Sequence, residues 1–371
     1  MRISLVTSFL SGGGAARILV GMANHWSAQS NIVDLFSYED PETRPFYCVD
    51  DGVGLHLLGL AAHSTTFSDK VKGNLTRLWG LRKAVLAREP EVVVSFGDVT
   101  NVQALLALSG SGVPVIVSER THPAFEPVPK VWDILRRHAY GRADAVVAQT
   151  SEALDFMREW GGRTRVVIPN FIAPLAPGEG VYKLPRPCII AAGRLSVEKN
   201  YDLMLRAFSS ASKTTPGWNL CIAGSGPLQT ALEKRAVELG LDGAVHFLGQ
   251  VKDMHSFFSQ GDVFAMCSNY EGFPNALCEA MSMGLACLST DCPSGPRNII
   301  THERDGLLVP VGDEVSMSMA MRQLMGDESL RRRLGHAARE ISQTLAVDAI
   351  MSKWDACIND VLREGSDETV R

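Results

Sequence analysis

Two carboxylates lie eight positions apart in the second half of the chain, on either side of a proline. The segment reads Glu271-Gly-Phe-Pro-Asn-Ala-Leu-Cys-Glu279, and it follows the apolar, strand-like run Val263–Cys267. Pro274 suits the first turn of a helix, where its missing N–H costs nothing, so we predict a helix from about Pro274 to Met283. The start of such a helix offers free N–H groups and the positive end of the helix dipole, which predicts an anion site. The backbone expected to face the anion belongs to Phe273, Pro274, Asn275, Ala276 and Leu277.

The two glutamates differ in their position relative to this helix. Glu271 lies in the loop before the helix, whereas Glu279 lies more than one turn into it. One carboxylate can therefore reach a group beyond the helix start, while the other accepts hydrogen bonds beside it, for example two from a vicinal diol. An anion with hydroxyl groups on both sides, a sugar nucleotide, fits this arrangement. We predict that Glu279 binds the ribose and that Glu271 lies near the hydroxyls of the donor sugar.

Four motifs carry a resemblance to a known family. The paired glutamates and their neighbours, from Asn269 to Met281, resemble the motif of the retaining glycosyltransferases of family 4, which have the GT-B fold. Three further segments resemble the same family, and all four stand in the family's order across about half of the chain: Gly193-Arg194-Leu-Ser-Val-Glu-Lys199-Asn200, Asp291-Cys-Pro-Ser-Gly-Pro-Arg297 and Asp305-Gly-Leu-Leu-Val-Pro310. The first half of the chain resembles the family more loosely, at Ser11–Gly14 and Ser118–Pro123.

The fold class follows from both the pattern and the resemblance. A length of 371 residues suits two domains. Continuous apolar strands between helices are typical of parallel sheets that are covered on both faces. The GT-B resemblance implies two Rossmann-like, doubly wound domains facing a cleft, with the last helix crossing back to the first domain. The predicted strands are Ile3–Ser8, Ile32–Tyr38, Val92–Phe96, Val115–Ser118, Ala145–Ala148, Val166–Ile168, Cys188–Ala191, Leu220–Ala223, Val245–Leu248, Val263–Cys267, Ala286–Ser289 and Leu307–Val309.

A stretch rich in proline and glycine, residues 170–187, predicts the linker between the two domains. We expect an acceptor-binding domain over residues 1–170 together with about 347–371, and a donor-binding domain over residues 171–346. The candidate for the returning helix is Val347–Leu362, which contains Trp354.

Composition excludes several classes of protein. The net charge of −5 argues against a nucleic-acid partner. No apolar run approaches the ~20 residues of a membrane span, and the start of the chain is predicted to be a strand rather than a signal peptide. The eight cysteines form no Cys-x-x-Cys pair, so we expect buried free thiols in a reducing, cytoplasmic compartment.

Arg194 and Lys199 follow the first predicted strand of the second domain. The carboxyl ends of parallel strands face the ligand crevice, so two cations there can neutralise a departing nucleoside diphosphate. The alternative is a solvated surface pair. The chain contains no Asp-x-Asp triplet of the kind on which the metal-dependent GT-A glycosyltransferases rely. We therefore expect no metal ion and no cofactor, and the nucleotide sugar is a substrate.

Glycines and one histidine are the candidates in the first domain. Gly12, Gly13 and Gly14 follow the first strand, where glycine permits close approach of the backbone to a ligand. Arg17 stands where the dinucleotide fingerprint requires a third glycine, and the alternative is a plain strand–helix turn. The resemblance implies that this loop faces the diphosphate and the acceptor, and that His122 lies near the donor sugar.

Residues 70–88 are basic and contain no acid. Apolar positions recur at helical spacing, which predicts a helix that could lie on an anionic membrane surface. A solvated helix face is the alternative. The candidate membrane or acceptor contacts are Lys72, Arg77, Trp79, Arg82 and Lys83.

The resulting hypothesis is a glycosyltransferase that moves a hexose or N-acetylhexosamine from a nucleotide sugar to a glycan or lipid-linked glycan. Retention of anomeric configuration is implied by the resemblance, UDP is the preferred nucleotide ahead of GDP, and the enzyme is expected in the cytoplasm or on the inner face of the membrane. The alternatives are a sugar-nucleotide epimerase of GT-B fold, a non-catalytic nucleotide-sugar-binding protein, and a dinucleotide-dependent oxidoreductase, for which the glycine fingerprint is broken.

Overall fold

The computed structural model describes residues 1–61, 67–126, 128–173 and 183–369. The chain divides into two compact units, one formed by Met1–Phe171 with Asp348–Arg371 and the other by Ile172–Val347. Half of the predicted linker over residues 170–187, namely 174–182, lies outside the described residues.

The first unit is built on a parallel sheet. Among its described residues the sheet has seven strands in the order β3-β2-β1-β4-β5-β6-β7. Its strands are almost wholly apolar and buried, except at the β3 and β7 edges, because helices cover both faces. The elements in chain order are β1 (Arg2–Thr7), α1 (Gly13–Ala28), β2 (Ile32–Ser37), β3 (Val53–Leu57), α2 (Phe67–Leu86), β4 (Val92–Phe96), α3 (Asp98–Ala107), β5 (Val115–Ser118), α4 (Lys130–Ala139), β6 (Ala145–Ala148), α5 (Ser151–Phe156) and β7 (Thr164–Val167).

The second unit repeats the same winding. Its described residues form a six-stranded parallel sheet in the order β10-β9-β8-β11-β12-β13. The elements are β8 (Cys188–Ala192), α6 (Tyr201–Ser212), β9 (Asn219–Ala223), α7 (Gln229–Glu238), β10 (Val245–Phe247), α8 (Met254–Gln260), β11 (Val263–Met266), α9 (Asn275–Ser282), β12 (Ala286–Thr290), α10 (Pro296–Ile299), β13 (Leu307–Val309), α11 (Glu314–Gly326), α12 (Glu328–Ala338) and α13 (Ile341–Thr344).

The last helix, α14 (Val347–Thr369), returns to the first unit, as predicted. The ring of Trp354 lies 6.0 Å from that of Phe96 at the end of β4. Trp26 of α1 donates a hydrogen bond from Nε1 to Asp355 at 2.7 Å. The core of the first unit is therefore completed by residues from the end of the chain.

All twelve predicted strands are present, within two residues at each end. The prediction missed β3, an edge strand with the sequence Val-Gly-Leu-His-Leu. This strand is only partly buried, so it lacks the continuous apolar run that identifies a central parallel strand.

No helix among the described residues is long and apolar enough to cross a membrane. Seven cysteines are buried and free, as predicted, whereas Cys48 is exposed.

Candidate functional site

The ligand crevice of a doubly wound sheet lies where the strand order reverses, outside the carboxyl ends of the two central strands. In the second unit these strands are β8 and β11, which pair in parallel. A small cavity lies at their carboxyl ends, with Ala192, Lys199, Met266 and Ser268 among its lining residues. The topology therefore brings the loop that carries Lys199 next to the loop that carries Glu271.

Lys199 and Glu271 are in direct contact. The Lys199 ammonium donates to Glu271 Oε1 at 2.5 Å, and the Ser268 hydroxyl donates to the same oxygen at 2.5 Å. Glu271 is buried, and Lys199 keeps 23% of its side chain exposed. Charge-assisted hydrogen bonds of this kind fix the direction of both side chains. An ammonium and a carboxylate are thus held together at the crevice, and the lysine side chain is partly exposed.

Two asparagines join the same two loops. Asn200 donates from Nδ2 to Asn269 Oδ1 at 3.0 Å, and Asn269 donates from its own Nδ2 to the carbonyl of Val197 at 3.2 Å. The backbone N–H of Asn269 also donates to the carbonyl of Glu198 at 2.8 Å. Sequence reasoning missed this clamp, although Asn200 stands directly beside Lys199. The clamp sets the register between the loop of Lys199 and the loop of Glu271.

The helix predicted after Glu271 is α9, but it begins one residue later than predicted. Pro274 is the residue before the first turn, and the helix has neither a side-chain cap nor an acidic residue in its first turn. Pro274 has no N–H, and the N–H of Asn275 donates to the carbonyl of Phe273 at 2.9 Å. Pro274 and Asn275 are therefore not available as donors, and the amides of Phe273, Ala276 and Leu277 remain the candidates to face an anion.

Glu279 lies in the middle of α9 and is 7% exposed. A role for Glu279 in binding the ribose stays a prediction. The loop that contains Gly295 packs closely against the start of this helix. Gly295 has a φ of +148°, and a Cβ there would lie 2.6 Å from Cδ of Pro274. The sequence interpretation did not single out Gly295, although it lies within the Asp291–Arg297 motif.

Arg194, the second predicted cation, has an exposed side chain in the loop after β8. The described residues give its guanidinium no hydrogen-bond partner, unlike the ammonium of Lys199. The backbone beneath it is tightly packed: a Cβ on Gly224, whose φ is +141°, would lie 1.9 Å from the carbonyl oxygen of Gly193. Only glycine fits at this position after β9. The Gly-Ser-Gly-Pro sequence that begins there was the missed signal.

The glycine loop of the first unit is held by an acidic residue. Gly12 precedes α1, and Gly13 begins the helix with a φ of +86° and open space where a Cβ would stand. Gly14 is exposed in the first turn. Glu39, two residues after β2, accepts a hydrogen bond from the N–H of Leu10 at 2.6 Å. Glu39 therefore occupies the place of the acid that binds a ribose in dinucleotide sites, but here its carboxylate holds the glycine loop.

His122 is buried between aromatic rings in the first unit, 4.9 Å from the ring of Phe125 and 5.4 Å from that of Phe156. Its Nδ1 accepts from the N–H of Ala124 at 3.2 Å, and it makes a second hydrogen bond to the backbone of Glu152. Burial lowers the pKa of the imidazole, so the ring is neutral near pH 7. A catalytic role for His122 stays a prediction, and the ring would have to release one of these bonds to contact a ligand.

Neighbouring charges at the end of β5 are also used internally. Glu119 is fully buried, accepts from the hydroxyl of Tyr140, and lies 3.6 Å from the guanidinium of Arg136. Burial raises the pKa of this carboxyl to about 7. The guanidinium of Arg120 stacks over the ring of Phe96 at 4.2 Å and donates to Asn170. These groups hold the loop after β5 in place.

The predicted basic helix is α2, and its cations divide into two sets. Arg77 donates to the carbonyl of Leu60 at 2.7 Å, and Arg82 donates to that of Ala107 at 2.6 Å. These two guanidiniums are therefore engaged in holding α2 on the first unit. Lys72 and Lys83 are exposed, and the ammonium of Lys83 lies 5.3 Å from the ring of Trp79.

Two family models match the chain. The family described as glycosyl transferases group 1 matches residues 180–341, and the one described as a glycosyl transferase 4-like domain matches residues 13–170. The first match contains the whole constellation around Lys199 and Glu271, and the second contains the glycine loop and His122. Together the two models account for most of the chain.

Relatives and solved structures agree with these models. A Campylobacter jejuni protein named GalNAc-alpha-(1->4)-GalNAc-alpha-(1->3)-diNAcBac-PP-undecaprenol alpha-1,4-N-acetyl-D-galactosaminyltransferase is 27% identical, over 97% of this chain and 99% of its own. The amylovoran biosynthesis glycosyltransferase AmsD of Erwinia amylovora is 25% identical, over 96% and 98%. Anabaena HepE in complex with UDP has a TM-score of 0.78 at 16% identity, over 97% of this chain and all of that one. Sucrose-phosphate synthase from Thermosynechococcus elongatus reaches a TM-score of 0.82 at 16% identity, covering 100% of this chain and 99% of its own. With two parallel-sheet units, paired glutamates and family matches in both halves, the chain belongs to the GT-B glycosyltransferases related to family 4.

Proposed function

We propose that this glycosyltransferase moves a hexose or N-acetylhexosamine from a UDP-sugar to a lipid-linked glycan, with retention of anomeric configuration. The observation that carries the proposal is the buried Glu271 in contact with Lys199, next to the uncapped start of α9. Retention rests on the resemblance of the paired glutamates to those of retaining enzymes. The choice of UDP is supported by the fold shared with HepE, which has been crystallised with UDP.

In the proposed reaction the second unit binds the donor. The amides of Ala276 and Leu277, the ammonium of Lys199 and the guanidinium of Arg194 face the diphosphate. These groups stabilise the negative charge that develops on the leaving diphosphate when the bond to the sugar breaks. The site itself thus supplies the positive charge that the departing nucleotide needs, and we propose that the reaction proceeds without a divalent metal.

The two glutamates have different roles in this proposal. Glu279 accepts hydrogen bonds from the ribose hydroxyls and contributes to nucleotide affinity. Glu271 lies close to Lys199 and therefore near the phosphate attached to the sugar, where it accepts from sugar hydroxyls and orients the ring. Ser268 keeps the Glu271 carboxylate in this direction.

The acceptor is proposed to bind to the first unit and to carry a polyprenyl diphosphate or similar lipid. The support is the name of the Campylobacter jejuni relative, whose acceptor is an undecaprenol-linked glycan. Such an acceptor lies in a membrane, so the enzyme would work on the cytoplasmic face of the bilayer as a peripheral protein.

A panel of UDP- and GDP-sugars tests the donor assignment through the melting temperature. A ligand present at 100 times its dissociation constant stabilises the fold by ~2.7 kcal/mol. We expect a shift with UDP-sugars and a smaller one with GDP-sugars. Incubation with the stabilising donor and a synthetic polyprenyl diphosphate glycan, in the presence of EDTA, should then yield a product with the anomeric configuration of the donor.

Three outcomes would overturn parts of this proposal. An inverted product would exclude retention. Loss of turnover in EDTA that magnesium restores would exclude the metal-independent mechanism. Interconversion of the sugar nucleotide without an acceptor would favour the epimerase.

A further inference from the structure

Helix α4 of the first unit carries an apolar stripe on its solvent side. Val131 is 68% exposed, Ile134 58% and Leu135 36%. Residues three and four apart lie on the same face of a helix, so these three side chains form one continuous stripe. A surface helix normally turns such a stripe towards the core. In α4 the side that faces the core is formed by Trp132, Arg136 and Ala139, and the stripe is left in solvent.

The cause of this orientation is the buried side of α4. Arg136 is 3% exposed in its side chain, pairs with Glu119 at 3.6 Å and Asp133 at 3.0 Å, and stacks over the ring of Trp160 at 4.6 Å. Removing a guanidinium from its carboxylate inside a protein is strongly unfavourable. The helix therefore cannot rotate to bury Val131 and Ile134, and its apolar stripe stays in solvent.

The charges beside the stripe are mainly basic. Lys130, Arg137 and His138 are exposed on α4. The one acid of this helix, Asp133, accepts from Arg137 at 2.9 Å and also pairs with Arg136. The stripe is thus bordered by cations whose charge is only partly balanced within the helix.

Helix α2 repeats this pattern on the other side of α3. Leu75 is 61% exposed and Trp79 67%, and the ammonium of Lys83 lies over the Trp79 ring. Both α2 and α4 pack against α3, so the three helices belong to one layer of the first unit. Two helices of this layer therefore expose apolar side chains next to basic ones.

We propose that the stripe Val131, Ile134 and Leu135 of α4, aided by Leu75 and Trp79 of α2, inserts into the interface of an anionic bilayer. This inference rests on the proposed function, because it places the enzyme where a lipid-linked acceptor lies. Apolar side chains then enter the headgroup boundary, tryptophan takes its usual place there, and the cations meet anionic headgroups.

The size of the surface and its charge favour a bilayer over a second protein. Stable protein interfaces bury about 1,200–2,000 Å² in total and have cores depleted of charge. Five apolar side chains on two helices, interspersed with lysine and arginine, fall short of such an interface. An amphipathic basic surface is what binds to anionic lipids.

Vesicle sedimentation with paired variants tests the proposal. Val131→Ser with Ile134→Ser removes the centre of the stripe at two exposed positions, so folding should be preserved. The matched control is Val315→Ser with Met319→Ser on α11 of the second unit, where the two side chains are 67% and 57% exposed. The vesicles contain either phosphatidylglycerol mixed with phosphatidylcholine or phosphatidylcholine alone.

We expect the wild type and the α11 variant to sediment with the anionic vesicles at low salt. The α4 variant should partition about tenfold more weakly, because burial of its apolar area is lost. Replacing Lys130 and Arg137 by Gln should reduce the binding and its dependence on salt, since exposed charges are screened beyond ~10 Å at 0.1 M.

Equal sedimentation of the α4 variant and the wild type would overturn the proposal, as would a wild type that ignores anionic vesicles. A wild-type dimer that the α4 variant converts to a monomer, without vesicle binding, would identify the stripe as a contact between copies and would also overturn it. UDP binding by calorimetry is measured on the same variants. If the wild type does not bind UDP, the donor assignment is contradicted. The membrane proposal is unaffected by that result, because vesicle binding does not depend on UDP.

Discussion

The two units share a winding but differ in what stands at the reversal of strand order. In the second unit the loops after β8 and β11 hold Lys199 and Glu271 in contact at the crevice, with the start of α9 uncapped beside them. In the first unit the corresponding loops follow β1 and β4, and Glu39 holds the first of them by accepting from Leu10. The fold gives both units a crevice, whereas the polar side chains decide which crevice has charge available for a ligand.

The difference extends to the loop after β5 in the first unit. Glu119, Arg120 and His122 all make buried contacts within that unit. In the second unit, Arg194 is exposed and Lys199 is partly exposed. We therefore expect substitutions in the second unit to change catalysis, and those in the first unit to change stability more than turnover.

The largest effect is expected from Lys199→Ala and Arg194→Ala. Each removes a charge that we propose faces the diphosphate, and a preorganised charge of this kind is worth on the order of 10²–10³-fold in kcat. Single-turnover transfer measures the loss of activity. The melting temperature separates that loss from unfolding, because Lys199→Ala also removes the cationic partner of the buried Glu271. Lys213→Ala, an exposed lysine after α6, is the control. Near-native turnover in both variants would contradict the proposal that Lys199 and Arg194 face the diphosphate. It would also contradict the proposed difference between the two units.

The next largest effects are expected from Glu279→Gln, on UDP affinity, and from Glu271→Gln, on kcat. Glu279→Gln should weaken the binding of free UDP by about tenfold, since it replaces one oxygen of the proposed acceptor of the ribose hydroxyls by an NH₂ donor. Glu271→Gln should leave UDP affinity close to that of the wild type and lower kcat, because its proposed contact is the sugar. Calorimetry with UDP and transfer kinetics distinguish the two. Equal losses of UDP affinity would contradict the division of roles.

Asn269→Ala tests whether the clamp between the two loops positions Lys199. We expect kcat to fall by about tenfold with a smaller change in UDP affinity, since a small misplacement of a catalytic group affects the transition state most. Asn200→Ala should also lower kcat, and it additionally removes the cap of α6, where Asn200 Oδ1 accepts from the N–H of Leu203. The loss of kcat in the double variant should be less than additive, because the two residues share one bond. Asn219→Ala, at the start of β9, is the matched asparagine control. Additive losses would show that Asn269 acts without Asn200.

Glu119→Gln should change the pH dependence of stability. The pKa of this carboxyl is about 7 in the folded protein and 4.5 in its ordinary state. Between these values the folded state binds more protons, so the free energy of unfolding falls as pH rises through 7, by about 3 kcal/mol in total. Urea titrations from pH 5 to pH 8 should show this loss in the wild type and a flatter profile in Glu119→Gln. Exposed Glu159→Gln is the control, and an unchanged profile in Glu119→Gln would contradict the assignment.

The sequence predicted the strands well because central parallel strands are continuous apolar runs. It missed β3, where Gly54 and His56 interrupt the pattern at the sheet edge. Within the site, the spacing of Glu271 and Glu279 and the position of Lys199 after β8 could be read from the sequence, since each lies within a single motif. The clamp was not, because Asn200 and Asn269 are 69 positions apart and only the pairing of β8 with β11 brings them together.

The hydrogen bonds of Arg77 and Arg82 could not be predicted from the sequence either. A basic stretch without acids reads as a charged surface, yet both guanidiniums donate to backbone carbonyls. Conversely, the stripe on α4 lies in a helix whose sequence resembles an ordinary amphipathic one. Only the buried pair of Arg136 and Glu119 shows which face points outward.

The returning helix α14 has a consequence for how the chain folds during synthesis. Trp354 is 1% exposed and packs against Phe96, and its neighbour Asp355 accepts a hydrogen bond from Trp26. These contacts cannot form until α14 leaves the ribosome. The second unit is continuous in sequence and needs no later segment. Domains fold as units as they emerge, so the usual order is inverted here: the second unit completes its core first, and the core of the first unit stays open until α14 is made.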